Sequence, residues 1–271
     1  MDLGLAGKVA IVTGATSNIG RAIALGLADE GVRLVAVGRD VEAGARVVSD
    51  ARERGALDAI FLAIDLLDKD AGDRIAAASR ERFGTIDILV NNVGGNVAMG
   101  PFAESDPESW SRDIDITLMT TLRVTRAVLP EMIARKSGRI INIGSTAGLV
   151  GDYMLAVYSA AKGAVHAFTK VLAKEVGQHE ITVNCVAPYA TFPEGAAAMS
   201  SGSRFHPDSG FFTKALQGID EAEIEKLKRT GPLPRTVARA SEVAAAVLYL
   251  ASGQAAFVTG QIMQVEGGTL L

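Results

Sequence analysis

Seven short runs of mostly β-branched, uncharged residues recur along this chain, at positions 9–13, 33–38, 59–64, 86–90, 140–143, 181–188 and 261–265. Most are separated by stretches of helical periodicity. Runs without an exposed polar face belong to strands buried on both sides, and such strands need helices above and below them. The alternation therefore predicts an α/β protein: a doubly wound, parallel, seven-stranded sheet with right-handed crossovers and helices on both faces. Nearly half of the 271 residues are hydrophobic, enough for one large core, so residues 1–271 are expected to form a single domain. Helices are expected at 41–54, 68–83, 110–136 and 242–252, with Pro130 ending or kinking the third.

The first strand runs straight into a glycine turn, Gly14-Ala15-Thr16-Ser17-Asn18-Ile19-Gly20, and then into a helix. Strand, glycine turn and helix together form a phosphate cradle, because a helix N-terminus presents free N–H groups and a positive dipole end. The second strand ends at Gly38-Arg39. An acid at that tip accepts from a ribose 2′-hydroxyl, whereas an arginine accommodates a 2′-phosphate, so Arg39 favours NADP over NAD. Asp40, next in sequence, is the residue through which NAD would be held instead. The third strand ends at Asp65-Leu66, where the acid either accepts from an adenine amino group or caps the next helix. The fourth ends in Asn91-Asn92-Val93-Gly94-Gly95, whose amides can knit strand ends while the glycines let a ligand approach the backbone.

The fifth strand leads through Ser145 to a helix carrying Tyr158 and Lys162. Residues four apart share one helix face, and a cation beside a phenol favours the phenolate, which suits general acid–base work. Between residues 189 and 239 the composition changes to an irregular insertion, placed where open α/β sheets bind ligands. Phe192, Phe205, Phe211 and Phe212 are candidates to wall an apolar pocket there. Arg204, Lys214, Lys226, Lys228 and Arg229 are candidates to meet an acidic group such as that of a nucleotide-bearing thioester, and a charged helical pattern covers 220–229. An apolar stripe of Ala164, Phe168, Val171 and Leu172 suggests a subunit interface.

A net charge of −4 argues against nucleic acid and anionic membranes as partners. No apolar run approaches the ~18 residues of a membrane helix. One cysteine, Cys185, permits no internal disulfide and suits a reducing compartment, and no metal-ligand constellation is visible. The N-terminal residues do not read as a secretory signal, so a cytoplasmic protein is expected.

Taken in order, Thr13-Gly14 to Gly20, Asp65-Leu66, Asn91-Asn92-Val93-Gly94, Ser145, Tyr158-xxx-Lys162, Asn184 to Pro188, and Thr259-Gly260-Gln261 to Gly267-Gly268 resemble the short-chain dehydrogenase/reductase family over nearly the whole chain. Ser145 precedes Tyr158 by 13 residues, the family spacing. The resemblance implies a Rossmann-type fold and an oxidoreductase moving hydride between a nicotinamide and a carbonyl carbon. Tyr158 would give or take the proton, Lys162 would hold the nicotinamide ribose and favour the phenolate, and Ser145 would hydrogen-bond the substrate oxygen. The cofactor set would be Gly14, Ser17, Asn18, Ile19, Gly20, Arg39, Asp65, Leu66, Asn92, Gly94 and Pro188, with Tyr158 and Lys162. NADP is the expected cofactor and NAD the alternative.

Expected substrates are 3-oxoacyl thioesters, cyclic or aromatic ketones, and secondary alcohols including sugars, in a homotetramer. A non-catalytic dinucleotide-binding scaffold is the alternative of a different class. Asn18, Val93, Thr117, Tyr189 and Pro193 depart from the family pattern. Asn18 replaces a glycine, and asparagine tolerates left-handed backbone best after glycine. Thr117 replaces an asparagine credited with organising a relay water, so its hydroxyl is expected to hold that water with shorter reach.

Overall fold

The computed structural model describes residues 2–208, 210–212, 220, 225–226 and 228–271. The strands are β1 (Val9–Thr13), β2 (Arg33–Gly38), β3 (Asp58–Ala63), β4 (Ile88–Asn91), β5 (Gly138–Ile143), β6 (Ile181–Pro188), β7 (Thr191–Phe192), β8 (Ala238–Arg239) and β9 (Ile262–Val265). Seven of them form one parallel sheet in the order β3-β2-β1-β4-β5-β6-β9, as the seven runs predict. Progress along the sheet reverses between β1 and β4, which opens a crevice beyond their carboxyl ends. The pair β7–β8 is also parallel and closes the neck of the 189–239 insertion, Thr191 facing Ala238 and Phe192 facing Arg239.

The helices in chain order are α1 (Asn18–Asp29), α2 (Val41–Glu53), α3 (Ala71–Phe83), α4 (Pro107–Ile114), α5 (Thr120–Arg135), α6 (Ala147–Val150), α7 (Ala156–Val176) and α8 (Ala240–Ala251). Alternate residues along each strand feed two separate cores. On one face Val12, Val90, Ile141 and Val186 meet α1, α2 and α8 through Ile23, Leu27, Val47, Val247 and Leu250. On the other Ile11, Leu89, Ile140 and Val183 meet α3, α5 and α7 through Ile75, Val128, Met132 and Leu172. Each such side chain contributes about 1.5–3 kcal/mol of burial. Leu172 therefore belongs to the core, while Val171 beside it is exposed.

Pro130 does not end its helix; α5 runs through it to Arg135. It lies on the exposed face with Arg126, the residue whose carbonyl loses a donor, so solvent can replace the missing bond. The irregularity sits earlier, as a π-helical turn at Asp115–Met119 between α4 and α5. There Thr120 and Thr121 donate their hydroxyls to the carbonyls of Ile116 and Thr117 one turn back, loosening the ladder. Helix α3 starts at Ala71 rather than at 68, and Asp65 does not cap it: its Oδ1 accepts from the Leu67 amide instead.

Asparagines lock the strand ends. Asn91 donates to Asn142 Oδ1 (2.9 Å) and Thr125 Oγ1 (2.9 Å), and Asn142 donates to Thr169 Oγ1 (2.9 Å). All four side chains are buried, joining β4, β5, α5 and α7. Asn142→Ala takes one hydrogen bond each from the buried Asn91 amide and Thr169 hydroxyl and opens a cavity, and is expected to lower stability by about 2–4 kcal/mol. Urea unfolding with an unchanged m-value measures this, and a loss below ~1 kcal/mol would show the network carries little weight.

Candidate active site

The turn after β1 is shaped by close contacts. Gly14 has φ +64° and Asn18 φ +41°, so asparagine does adopt the left-handed backbone here. A Cβ on Gly20 would lie 2.0 Å from the Gly14 carbonyl oxygen. Ser17 precedes α1 without a side-chain bond to its first turn, leaving N–H groups for an outside acceptor. Asn92 fixes the far wall, its backbone N–H donating to Thr13 Oγ1 (2.9 Å) and its amide to the carbonyls of Thr13 (3.0 Å) and Gly14 (3.2 Å). Asn18 donates to the Thr191 carbonyl at 3.0 Å, while its Oδ1 is buried with no partner. A tight glycine cradle and a helix start whose N–H groups are not capped by a side chain fit a dinucleotide phosphate.

At the tip of β2, Arg39 is exposed and lies 3.8 Å from Asp65. Asp40 is committed elsewhere. It caps α2 through the Ala43 amide (3.0 Å) and accepts from the backbone and hydroxyl of Ser201 (2.9 and 2.8 Å). These bonds hold its carboxyl down at about 2.

Around β5, Lys162 is buried and donates to the Ile143 carbonyl at 2.6 Å. Its ammonium lies 5.9 Å from the Tyr158 ring centroid. A Cβ on Gly94 would come within 2.8 Å of Nζ, so only glycine admits the ammonium there. Ser145 Oγ accepts from the Ala147 amide (3.1 Å), which leaves its own proton to donate. Thr117 commits its one hydroxyl proton to the backbone of the neighbouring loop. It is fully buried, donating to the Gly95 carbonyl (2.8 Å) and accepting from the Gly95 amide (3.1 Å).

One open cleft of about 1070 Å³ collects Gly14, Ser17, Asn18, Ile19, Gly20, Arg39, Asp65, Leu66, Asn92, Gly94, Ser145, Tyr158, Lys162 and Pro188. The insertion adds Phe192, Arg204, Phe205 and Phe212, along with Lys228 and Arg229. The four phenylalanines touch ring to ring in a chain, Phe192–Phe205 tilted at 4.8 Å, Phe205–Phe212 stacked at 5.0 Å and Phe212–Phe211 edge-on at 5.3 Å. Lys214 and residues 221–224 and 227 of the charged pattern lie outside the described residues. Tyr189 accepts from the Arg229 amide at 2.8 Å, and Arg229 pairs with Asp152, which anchors the insertion's return. Among the described residues no His, Cys, Asp and Glu cluster could hold a metal, and no helix is long and apolar enough to cross a membrane.

His166, which the motif reading passes over, stands one turn beyond Lys162 and is 5 % exposed. Its Nε2 accepts from the Ser145 amide at 3.5 Å. A Cβ on Gly144 would lie 2.3 Å from that nitrogen and 2.6 Å from Cys185 Sγ. Burial pushes the Cys185 thiol up to about 12, so it is inert. The signal for His166 was its helical phase: four residues after Lys162, on the same face.

A family model described as short chain dehydrogenase matches residues 8–202. The 2,3-dihydroxy-2,3-dihydro-p-cumate dehydrogenase of Pseudomonas putida is 37% identical over 270 residues, covering 99% of this chain and 96% of that protein. The 3-oxoacyl-(acyl-carrier-protein) reductase of Escherichia coli is 35% identical over 268 residues, covering 97% of both chains. Among solved structures, an NAD+-bound xylitol dehydrogenase superposes with a TM-score of 0.82 at 28% identity, covering 97% of this chain and 99% of its own.

Burial, and then the charge of Lys162, push the His166 imidazole from 6.5 down to about 4. The folded state thus resists a proton that the unfolded chain takes up. Its contribution is fully present above pH ~6.5 and is lost as pH falls towards ~4, by about 3 kcal/mol in all. Urea titrations at pH 7, 5 and 4 should show this slope in the wild type and a flatter one in His166→Gln; parallel profiles would refute it.

Proposed function

The chain belongs to the short-chain dehydrogenase family and is an oxidoreductase acting on alcohol and carbonyl groups, and from that premise we propose an NADP-dependent enzyme that interconverts a carbonyl and a secondary alcohol through Ser145, Tyr158 and Lys162. The observation that carries this reading is the single cleft that joins those three side chains to the glycine cradle. The turn Gly14–Gly20 with Asn92 would hold the pyrophosphate, Asp65 and Leu66 the adenine, and Gly94, Lys162 and Pro188 the nicotinamide end. The nicotinamide, when bound, supplies hydride in reduction and accepts it in oxidation.

The chain's residues handle the oxygen. In reduction the Tyr158 hydroxyl passes its proton to the carbonyl oxygen as that oxygen gains charge; in oxidation the phenolate takes the alcohol proton. Ser145 donates to the same oxygen, a contribution of about 3 kcal/mol by analogy with oxyanion donors. Lys162, held to the Ile143 carbonyl, keeps a positive charge beside the phenol in either direction. The Thr117 hydroxyl, bonded both ways to Gly95, is assigned to shaping the Gly95 loop.

NADP is favoured because Arg39 stands at the ribose end while Asp40, the rival for NAD, is occupied by Ala43 and Ser201. An NAD-dependent alcohol dehydrogenase is the second reading, supported by the NAD+-bound xylitol dehydrogenase. The substrates named for the relatives, a cyclic dihydrodiol and a 3-oxoacyl thioester, keep cyclic ketones and acyl thioesters both in view. In the proposed cytoplasmic homotetramer, exposed Val171 and Ile114 would be covered by a neighbouring subunit.

Parallel fluorescence titrations with NADPH and NADH should show tighter NADPH binding that Arg39→Ala weakens about tenfold or more. Equal or tighter NADH binding reverses the cofactor assignment. Tyr158→Phe should retain cofactor binding and lower kcat by roughly 10²–10⁴. Unchanged turnover in that variant would overturn the catalytic assignment.

A further inference from the structure

Arg204 is a cation that the hydride chemistry does not use. It reaches into the cleft from the insertion, its guanidinium carbon 5.6 Å from the centroid of the Tyr158 ring. The rings of Phe212 and Phe211 lie 4.7 and 5.0 Å away on the same group. One terminal nitrogen donates to Asn96 Oδ1, whereas Nε is buried and has no acceptor. Asp113 feels the charge of Arg204, but its own Oδ1 takes the Val97 amide at 2.7 Å, and no ion pair joins the two. A guanidinium has five donors in a planar fork that matches a carboxylate. Here aromatic rings remove competing water, which strengthens any charge pairing.

Resting on the reading above, we propose that Arg204 receives a carboxylate carried by the substrate, which is a small cyclic or aromatic carbonyl compound, or the corresponding alcohol. The reacting oxygen lies at Ser145 and Tyr158, the ring lies against Phe205 and Phe212, and the carboxylate meets Arg204. The closeness of the guanidinium to Tyr158 selects this class. The phosphates of a nucleotide-bearing thioester are separated from its carbonyl by a long chain and would leave the cleft before meeting a charge so near the reacting atoms. A carboxylate on the same small molecule is within reach. The phenylalanine wall adds an apolar face that a sugar alcohol would not use.

The test compares 4-oxocyclohexanecarboxylate with its methyl ester as substrates of the cofactor-loaded enzyme, and benzoate with benzamide as calorimetric ligands. The acid should exceed the ester in kcat/KM by about tenfold or more, and Arg204→Gln should collapse that ratio about tenfold, with Arg204→Lys restoring part of it. Benzoate should bind the wild type about tenfold more tightly than benzamide and lose that advantage in Arg204→Gln. Should benzoate bind in this way while neither ketone is turned over, Arg204 is upheld and the reading of the reaction has failed. Equal affinity for benzoate and benzamide, failure of benzoate to bind, an acid-to-ester ratio indifferent to Arg204, or a preference for acetoacetyl-coenzyme A over the oxo acid each overturns the proposal.

Discussion

A buried ammonium organises the centre of this molecule. Lys162 is 3 % exposed, and a charge taken out of water is tolerated only where the protein returns its hydrogen bonds. The return is the Ile143 carbonyl at the very end of β5, 2.6 Å away, which ties α7 to the sheet where the cleft opens. Its neighbours are arranged around that charge. Gly94 has no side chain because Nζ fills the space; His166 stays neutral because burial and Lys162 both disfavour a second cation; Gly144 is bare because His166 packs against it. One cation and the histidine beside it thus account for two glycines that local propensity would not ask for.

Much of the fold could be read in advance because its signals are local. The runs at 9–13, 33–38 and 181–188 match β1, β2 and β6 at both ends, since each is an apolar stretch cut off by glycine, a charge or an aromatic that begins the insertion. The glycine turn and the left-handed Asn18 follow from backbone sterics alone. Expectations went wrong where solvent exposure or a distant partner decides. The helix continues through Pro130 because that residue faces water, and the π-helical turn arises from threonines bonding backwards. Arg204 is legible as a candidate for an acidic group, but its neighbours Asn96 and Tyr158 come from elements far away in sequence.

Three of the five departures from the family pattern, Asn18, Thr117 and Tyr189, form a set once their contacts are known. Asn18, where glycine is usual, donates to the Thr191 carbonyl at the start of the insertion. Tyr189, another departure, receives the Arg229 amide near the insertion's end. Thr117, in an asparagine position, closes on Gly95, the residue whose own Cβ would touch Arg204 at 3.7 Å. Each substitution replaces a bare backbone or a water-holding side chain with a polar group bonded to a loop at the cleft's rim.

These bonds change what a long insertion costs. Ordering a loop loses conformational entropy for every residue fixed, and the closure penalty grows only slowly with length. An insertion pinned solely at its ends would leave its middle to wander. Here the β7–β8 pair clips the neck, Asp40 holds Ser201 through two bonds, and Asn96 holds Arg204. The segment from 200 to 205 is therefore stretched between the tip of β2, beside Arg39, and the ring of Tyr158. A single strap spans the dinucleotide end and the reacting end of the cleft, and its phenylalanines can form an ordered wall because polar anchors on both sides fix the backbone that bears them.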